Sequence, residues 1–217
     1  MGALQDTEAT RRWFNLLAPG YDAVVPSLFW PESLQQAAID RLELASADRV
    51  LDIGCGTGET IDHLRSEIAA VHGLDLSRPQ LETAADKAHL EDARFVCGDA
   101  CALPYADETF DCVVSIGSIL YWSDPVEALR EAHRVTKPGG ELLLLGFNRR
   151  SPSWWNPVQN AQDGIAEALF FRYDREEGTT LVRSAGWTDP THEVTGPVWG
   201  PELVLATTAQ KAESGSH

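Results

Sequence analysis

Between Arg49 and Phe147 the chain alternates short, nearly continuous apolar runs with longer stretches whose apolar residues recur every three or four positions. RVLDIG (49–54), AVHGLDL (70–76), ARFVCGD (93–99), FDCVVSI (110–116) and GELLLLGF (140–147) are the apolar runs, and each reads as a buried strand. Helical periodicity occupies Glu59 to Ile68, a segment opening near Ser77, and Pro125 to Val135. Ser77 offers a hydroxyl to cap its helix, with Pro79 in the first turn, and KPGG (137–140) is a helix stop before the fifth strand. Strands of this kind separated by helices predict a parallel sheet covered on both faces.

Residues 1–48 read as mostly helical, broken at Pro19-Gly20 and Pro26, with a helix from Ser33 to Leu44. After residue 173 the pattern gives a helix from Asp174 to Ala185, a polar strand around His192 to Thr195, and a final strand ELVLATTA (202–209). A Gly-Pro turn joins those last strands, which predicts an antiparallel hairpin on the sheet edge. The expected fold is α/β: one domain over residues 1–213 around a seven-stranded sheet, mostly parallel with the last strand antiparallel. SGSH (214–217) reads as a remnant of expression.

Charge narrows the functions available. The net charge is −16, and Lys87, Lys137 and Lys211 are the only lysines. Such a surface repels phosphate backbones, which argues against a nucleic-acid partner. It also fits a proteome adapted to high salt, where self-repulsion is screened. No run approaches the ~20 apolar residues of a membrane span, and the first residues lack the apolar core of a signal peptide. A cytoplasmic enzyme is the expectation. Cys55 and Cys112 read as buried thiols. Cys97 and Cys101 have no second pair at zinc spacing, so no metal site is expected.

The strongest chemical signal is VLDIGCGTG (50–58), a strand ending in a turn where Gly54, Gly56 and Gly58 let the backbone approach a ligand. The next strand ends in Asp75, about twenty residues beyond the first glycine, a spacing that suits both hydroxyls of a ribose. A nicotinamide dehydrogenase would share those two features. Its fingerprint, however, places a third glycine five residues after the first, where this chain has Glu59. A carboxylate there repels a pyrophosphate and, with Asp52, suits a cationic sulfonium. Asp99 at the end of the third strand is placed to accept from an adenine amine, with Ala100 and Leu103 packing near the ring.

The ordered set VLDIGCGTG, GLDLS, GDACALPYADETFDCVVS and LREAHRVTKPGGELLL resembles the class I S-adenosylmethionine-dependent methyltransferases, in particular the ubiquinone and menaquinone biosynthesis branch. The resemblance spans roughly residues 10–147 and implies a Rossmann-like fold. It divides the domain into an N-terminal helical lid (1–48), a cofactor-binding core (49–147), a substrate-side insertion (148–173) and a closing helix and hairpin (174–213). It implies S-adenosylmethionine contacts at Asp52, Gly54, Cys55, Gly56, Gly58, Asp75, Leu76, Asp99, Ala100 and Ser115. FNLLAPGYD (14–22) is similar to that branch's lid, which implies that Tyr21 closes over the cofactor. SIGSILYWSDPVEALREAHRV (115–135) and GPVW (196–199) are further similar to methyltransferases of the 2-methyl-6-phytylbenzoquinol type, which implies a prenylated aromatic acceptor methylated on a ring carbon. An O- or N-methyltransferase of another small metabolite is the alternative, and a non-catalytic cofactor sensor or scaffold is the alternative of another class.

Tyr121 follows the fourth strand and is the candidate to orient substrate, or else a packed aromatic. His133 and His192 read as packing residues. Asn148 and Arg149 could reach the pocket from the fifth strand. The insertion at 150–171, with Trp154, Trp155, Phe170 and Phe171, reads equally as a lid around an isoprenoid tail or as a helix packed on the sheet. The sequence singles out no general base. Peripheral contact with a membrane surface and the oligomeric state stay open.

Overall fold

The computed structural model describes residues 6–12, 14–15, 30–65, 68, 70–149, 164, 170–197 and 202–214. Seven strands form one sheet: β1 (Arg49–Ile53), β2 (Ala70–Asp75), β3 (Arg94–Cys97), β4 (Phe110–Ile116), β5 (Thr136–Phe147), β6 (Thr188–Thr195) and β7 (Val204–Gln210). Their order is β3-β2-β1-β4-β5-β7-β6. β1 pairs in parallel with β2 and β4, and β7 runs antiparallel to both neighbours. The closing hairpin forms as expected, and its second strand lies inside, between β5 and β6.

Among the described residues, helix α1 (Glu32–Ile39) precedes the sheet, and α2 (Glu59–Leu64), α3 (Arg78–Ala85), α4 (Pro125–Val135) and α5 (Arg175–Ser184) lie between strands. α1 and α2 stop short of Leu44 and Ile68, the ends expected from periodicity. Leu42 and Ile68 are buried nonetheless, so the apolar pattern continues past the helical backbone. KPGG ends α4 but forms no loop. Its residues belong to β5, held by the Lys137 ammonium on both Asp111 oxygens (2.7 and 2.8 Å) and by paired backbone bonds between 139–140 and Lys211.

The caps explain where α4 and α5 begin. The Asp124 carboxylate accepts from the backbone N–H groups of Val126 and Glu127. Asp174 forms a reciprocal box with Glu177, each side chain satisfying the other's backbone N–H. α3 departs from expectation: the Ser77 hydroxyl caps nothing and donates instead to Asn15 Oδ1 at 2.8 Å. A long-range partner has displaced the local one.

The apolar runs of β1, β4 and β5 are buried along nearly their whole length, which fixes the sheet as the core. Trp187 packs under α4 and donates its indole N–H to Leu129 O at 3.0 Å. All four cysteines are free thiols, and no cluster of three metal-binding side chains occurs among the described residues. The parallel arrangement brings the carboxyl ends of β1, β2, β3 and β4 to one edge, where their loops converge.

Candidate functional site

Residues 54–58 turn sharply off β1. The N–H groups of Gly54 and Cys55 both donate to Leu74 O, at 2.7 and 3.1 Å, which ties the turn to the end of β2. Gly54 has φ +78°, and a Cβ there would lie 2.1 Å from that of Ser118. The Ser118 hydroxyl donates to Ile53 O at 2.6 Å and shares a 2.6 Å bond with the Ser115 hydroxyl. The end of β4 therefore buttresses the loop. Ser115 is fully buried and acts through Ser118, without reaching the cleft itself. Gly58 also lies off the cleft wall, packed at the start of α2 against Leu90.

Asp75 ends β2 with one carboxylate oxygen accepting from Gly56 N–H (2.9 Å) and the other from Ser77 N–H (2.8 Å). Its burial pushes its pKa up, and those backbone donors oppose the rise. Asp99 follows β3 and accepts from Cys101 N–H at 2.9 Å. Asp52 is different: it is 1% exposed, its Oδ2 has no hydrogen-bond partner, and it lies behind the cleft wall. Burial, with the nearby Asp75 charge, pushes its pKa up to about 8. It stays largely protonated at neutral pH, so the expectation of an anionic contact there meets a neutral acid one layer back.

These elements surround a cleft at the carboxyl edge of the sheet. Gly54, Cys55, Gly56, Asp75, Leu76, Asp99 and Ala100 line it, as the sequence leads one to expect. Tyr121 lines it too, with Phe14 edge-on at 4.8 Å and Phe170 at 5.7 Å. Trp30 adds a further aromatic wall, stacked on Phe147 at 5.5 Å. Burial pushes the Tyr121 hydroxyl up to about 12. Gln35, 3% exposed, donates to Trp30 O and accepts from the Thr60 hydroxyl, which holds that wall to α2.

Trp30, Gln35, Gln80 and Ser118 escaped the sequence reading. A Gln three residues into a helix or a Trp before one carries no local mark, since only the fold brings them to the loop. The remaining candidates lie elsewhere. His133 packs edge-on against Trp187 at 5.2 Å, and His192 is held by the Thr179 and Thr207 hydroxyls at 2.8 and 2.9 Å. Asn148 donates to Glu202 O and Arg149 pairs with Glu177, so neither lines the cleft. Tyr21, Trp154 and Trp155 lie outside the described residues.

Among the described lining residues, Glu59, Asp75 and Asp99 are acidic, and there is no Lys, Arg or His. A cationic sulfonium nucleoside fits that lining: a glycine turn with no Cβ in the way, carboxylates for a ribose and an amine, and no group asking for phosphate. A pyrophosphate would meet three carboxylates and no cation.

Comparison with known proteins agrees. Residues 51–144 match the family model described as a methyltransferase domain. The chain is 35% identical over 193 residues to the chloroplastic 2-methyl-6-phytyl-1,4-hydroquinone methyltransferase 1 of Oryza sativa subsp. japonica, covering 86% of this chain and 56% of that protein. It thus spans little more than half the length of the plant relatives it matches. It is 29% identical over 215 residues to the demethylmenaquinone methyltransferase of Roseiflexus castenholzii, covering 88% of this chain and 90% of that one. Among solved structures, the [4+2]-cyclase SpnF superposes with a TM-score of 0.77 at 21% identity, covering 96% of this chain and 97% of that chain, a likeness of fold.

Proposed function

We propose that this chain, whose residues 51–144 match the methyltransferase domain family, transfers the methyl group of S-adenosylmethionine to a ring carbon of an isoprenoid quinol. The observation that carries the assignment is the cleft itself: three carboxylates, no described cation, and an aromatic wall at one end. The cofactor, when bound, supplies an electrophilic methyl on a cationic sulfur.

The chain's own work is alignment. Asp75, pinned by two backbone donors, accepts from ribose hydroxyls, and Asp99 accepts from the adenine amine. The glycine turn admits the methionine portion. Phe14, Trp30 and Tyr121 exclude water and hold a flat acceptor, and positioning of this kind is worth roughly 7–11 kcal/mol of barrier. Tyr121 orients a quinol oxygen by hydrogen bonding. With its hydroxyl pushed up to about 12, it keeps its proton at neutral pH and does not serve as the base that deprotonates the quinol.

A lining without described cations favours a neutral acceptor over a phosphorylated or carboxylated one. No helix of the described residues is long and apolar enough to cross a membrane. The net charge of −16 suits a cytoplasm of high salt.

The test is calorimetric titration with S-adenosylmethionine in low and multimolar potassium chloride, with Asp75→Ala beside the wild type, followed by assays on prenylated quinols, simple phenols and amines. Binding abolished by Asp75→Ala, with turnover on quinols alone, supports the assignment. Turnover on phenols or amines moves the acceptor to oxygen or nitrogen. Binding without turnover on any acceptor points to a sensor, and no binding to folded protein removes the cofactor assignment.

A further inference from the structure

Five aromatic rings of the described residues run in a chain around one end of the cleft. Phe14 meets Tyr121 at 4.8 Å, and Tyr121 meets Phe170 at 5.7 Å. Phe170 meets Phe147 at 5.8 Å, and Phe147 stacks on Trp30 at 5.5 Å. Phe14, Tyr121 and Trp30 face the cleft, whereas Phe147 and Phe170 stand behind its lining. Phe170 therefore joins the two walls, touching Tyr121 directly and Trp30 through Phe147. The backbone delivers it there. Phe171 N–H donates to Leu120 O at 3.0 Å, Tyr173 N–H to Phe147 O at 3.4 Å, and Arg149 N–H to Tyr173 O at 3.0 Å. The segment that carries Phe170 is thus laced to the residue before Tyr121 and to Phe147 itself.

Tyr121 stands nearly perpendicular to both neighbours, at 89° to Phe14 and 88° to Phe170. Edge-to-face contact is a preferred arrangement of aromatic pairs, and close packing on two sides leaves the ring one seat. We propose that Phe170 is the spacer that sets the gap between Tyr121 and Trp30, and thereby decides which atom of a flat acceptor meets the methyl group. The inference rests on the quinol reading of that acceptor. A quinol offers two kinds of nucleophile two bonds apart. Attack by the ring carbon forms a C–C bond as the S–CH3 bond breaks, and the ring then loses the proton of that carbon. Attack by oxygen forms an O–C bond, and the hydroxyl proton is lost instead. Misplacement by about 1 Å costs on the order of 10²-fold in rate, so a small slip of the ring exchanges the two outcomes.

Wild type, Phe170→Leu and Phe170→Tyr are given S-adenosylmethionine and a prenylated benzoquinol, and the C-methyl and O-methyl products are separated by chromatography. Calorimetry beside them measures affinity for S-adenosylmethionine. In Phe170→Leu the ratio of C- to O-methyl product should fall about five- to tenfold while cofactor affinity stays within about twofold. Phe170→Tyr keeps the ring and should keep the wild-type ratio. Loss of folded protein lowers both products together and leaves their ratio alone. An unchanged ratio in Phe170→Leu therefore overturns the proposal, as does an equal fall in Phe170→Tyr. Should Phe170→Leu fail to fold, Phe170→Met, which is also without a ring, carries the same comparison. Wild type that binds S-adenosylmethionine but converts no quinol refutes the acceptor reading, and the inference with it.

Discussion

Replacing Gly54 by alanine tests the buttress beneath the loop. The new Cβ would stand 2.1 Å from Ser118 Cβ and 2.5 Å from Ser118 Oγ, at a backbone φ of +78°. The left-handed backbone costs an L-residue ~1–2 kcal/mol, and forcing extra volume into a packed site costs ~1–3 kcal/mol. If Ser118 swings away, its 2.6 Å bond to Ile53 O goes with it, at ~0.5–1.5 kcal/mol. The expected total is about 2.5–6.5 kcal/mol, a large share of the ~5–15 kcal/mol of a typical domain. Urea unfolding measures it, and calorimetry on the folded fraction reports cofactor affinity. Adding Ser118→Gly should restore about 1–3 kcal/mol by removing the steric part, leaving the backbone cost, so the two changes couple in a double-mutant cycle. A loss below 1 kcal/mol for Gly54→Ala, or no recovery in the double variant, refutes the close approach of β4 to the turn.

Asp52→Asn should change the pH dependence of stability. Asp52 rises from 3.8 to about 8 on folding, so its protonation favours the folded state below pH 4, and that contribution is lost as pH climbs towards about 8. The variant should gain on the wild type by up to about 1.4 kcal/mol per pH unit across that window and no further above it, and denaturation from pH 4 to 9 that shows a constant difference sinks the argument. Asp174→Ala removes the capping box of α5 and should cost about 1–2 kcal/mol in thermal unfolding, whereas a change within a few tenths would mean that the box is ornamental.

Elements set by local pattern were legible in the sequence. β4 and α4 fall on the limits their apolar runs and the Asp-Pro start dictate, because a buried strand and an amphipathic helix each carry a period of their own. The acids at the ends of β2 and β3 were equally plain. Pairings across long separations were not. Ser77 is a helix cap by every local rule, yet its hydroxyl goes to Asn15, 62 residues away. Ser115 looked like a ligand contact and proves to brace Ser118. Gln80 and Trp30 bear no signature, since a side chain joins a site through the fold that delivers it. His192 was read as inert, and its two threonine partners account for it.

The reversed strand has a consequence for how the protein is made. β5 is apolar and needs partners on both sides, and one of them, β7, comes last: Leu142 faces Ala209 and Leu145 faces Ala206. A chain emerging from the ribosome therefore carries β1 to β5 with a bare edge until β7 arrives. The run LLLL at 142–145 is then an open template for pairing with any other nascent chain. Without β7 that edge stays uncovered, so the arrival of β7 decides whether β5 can be templated by another chain.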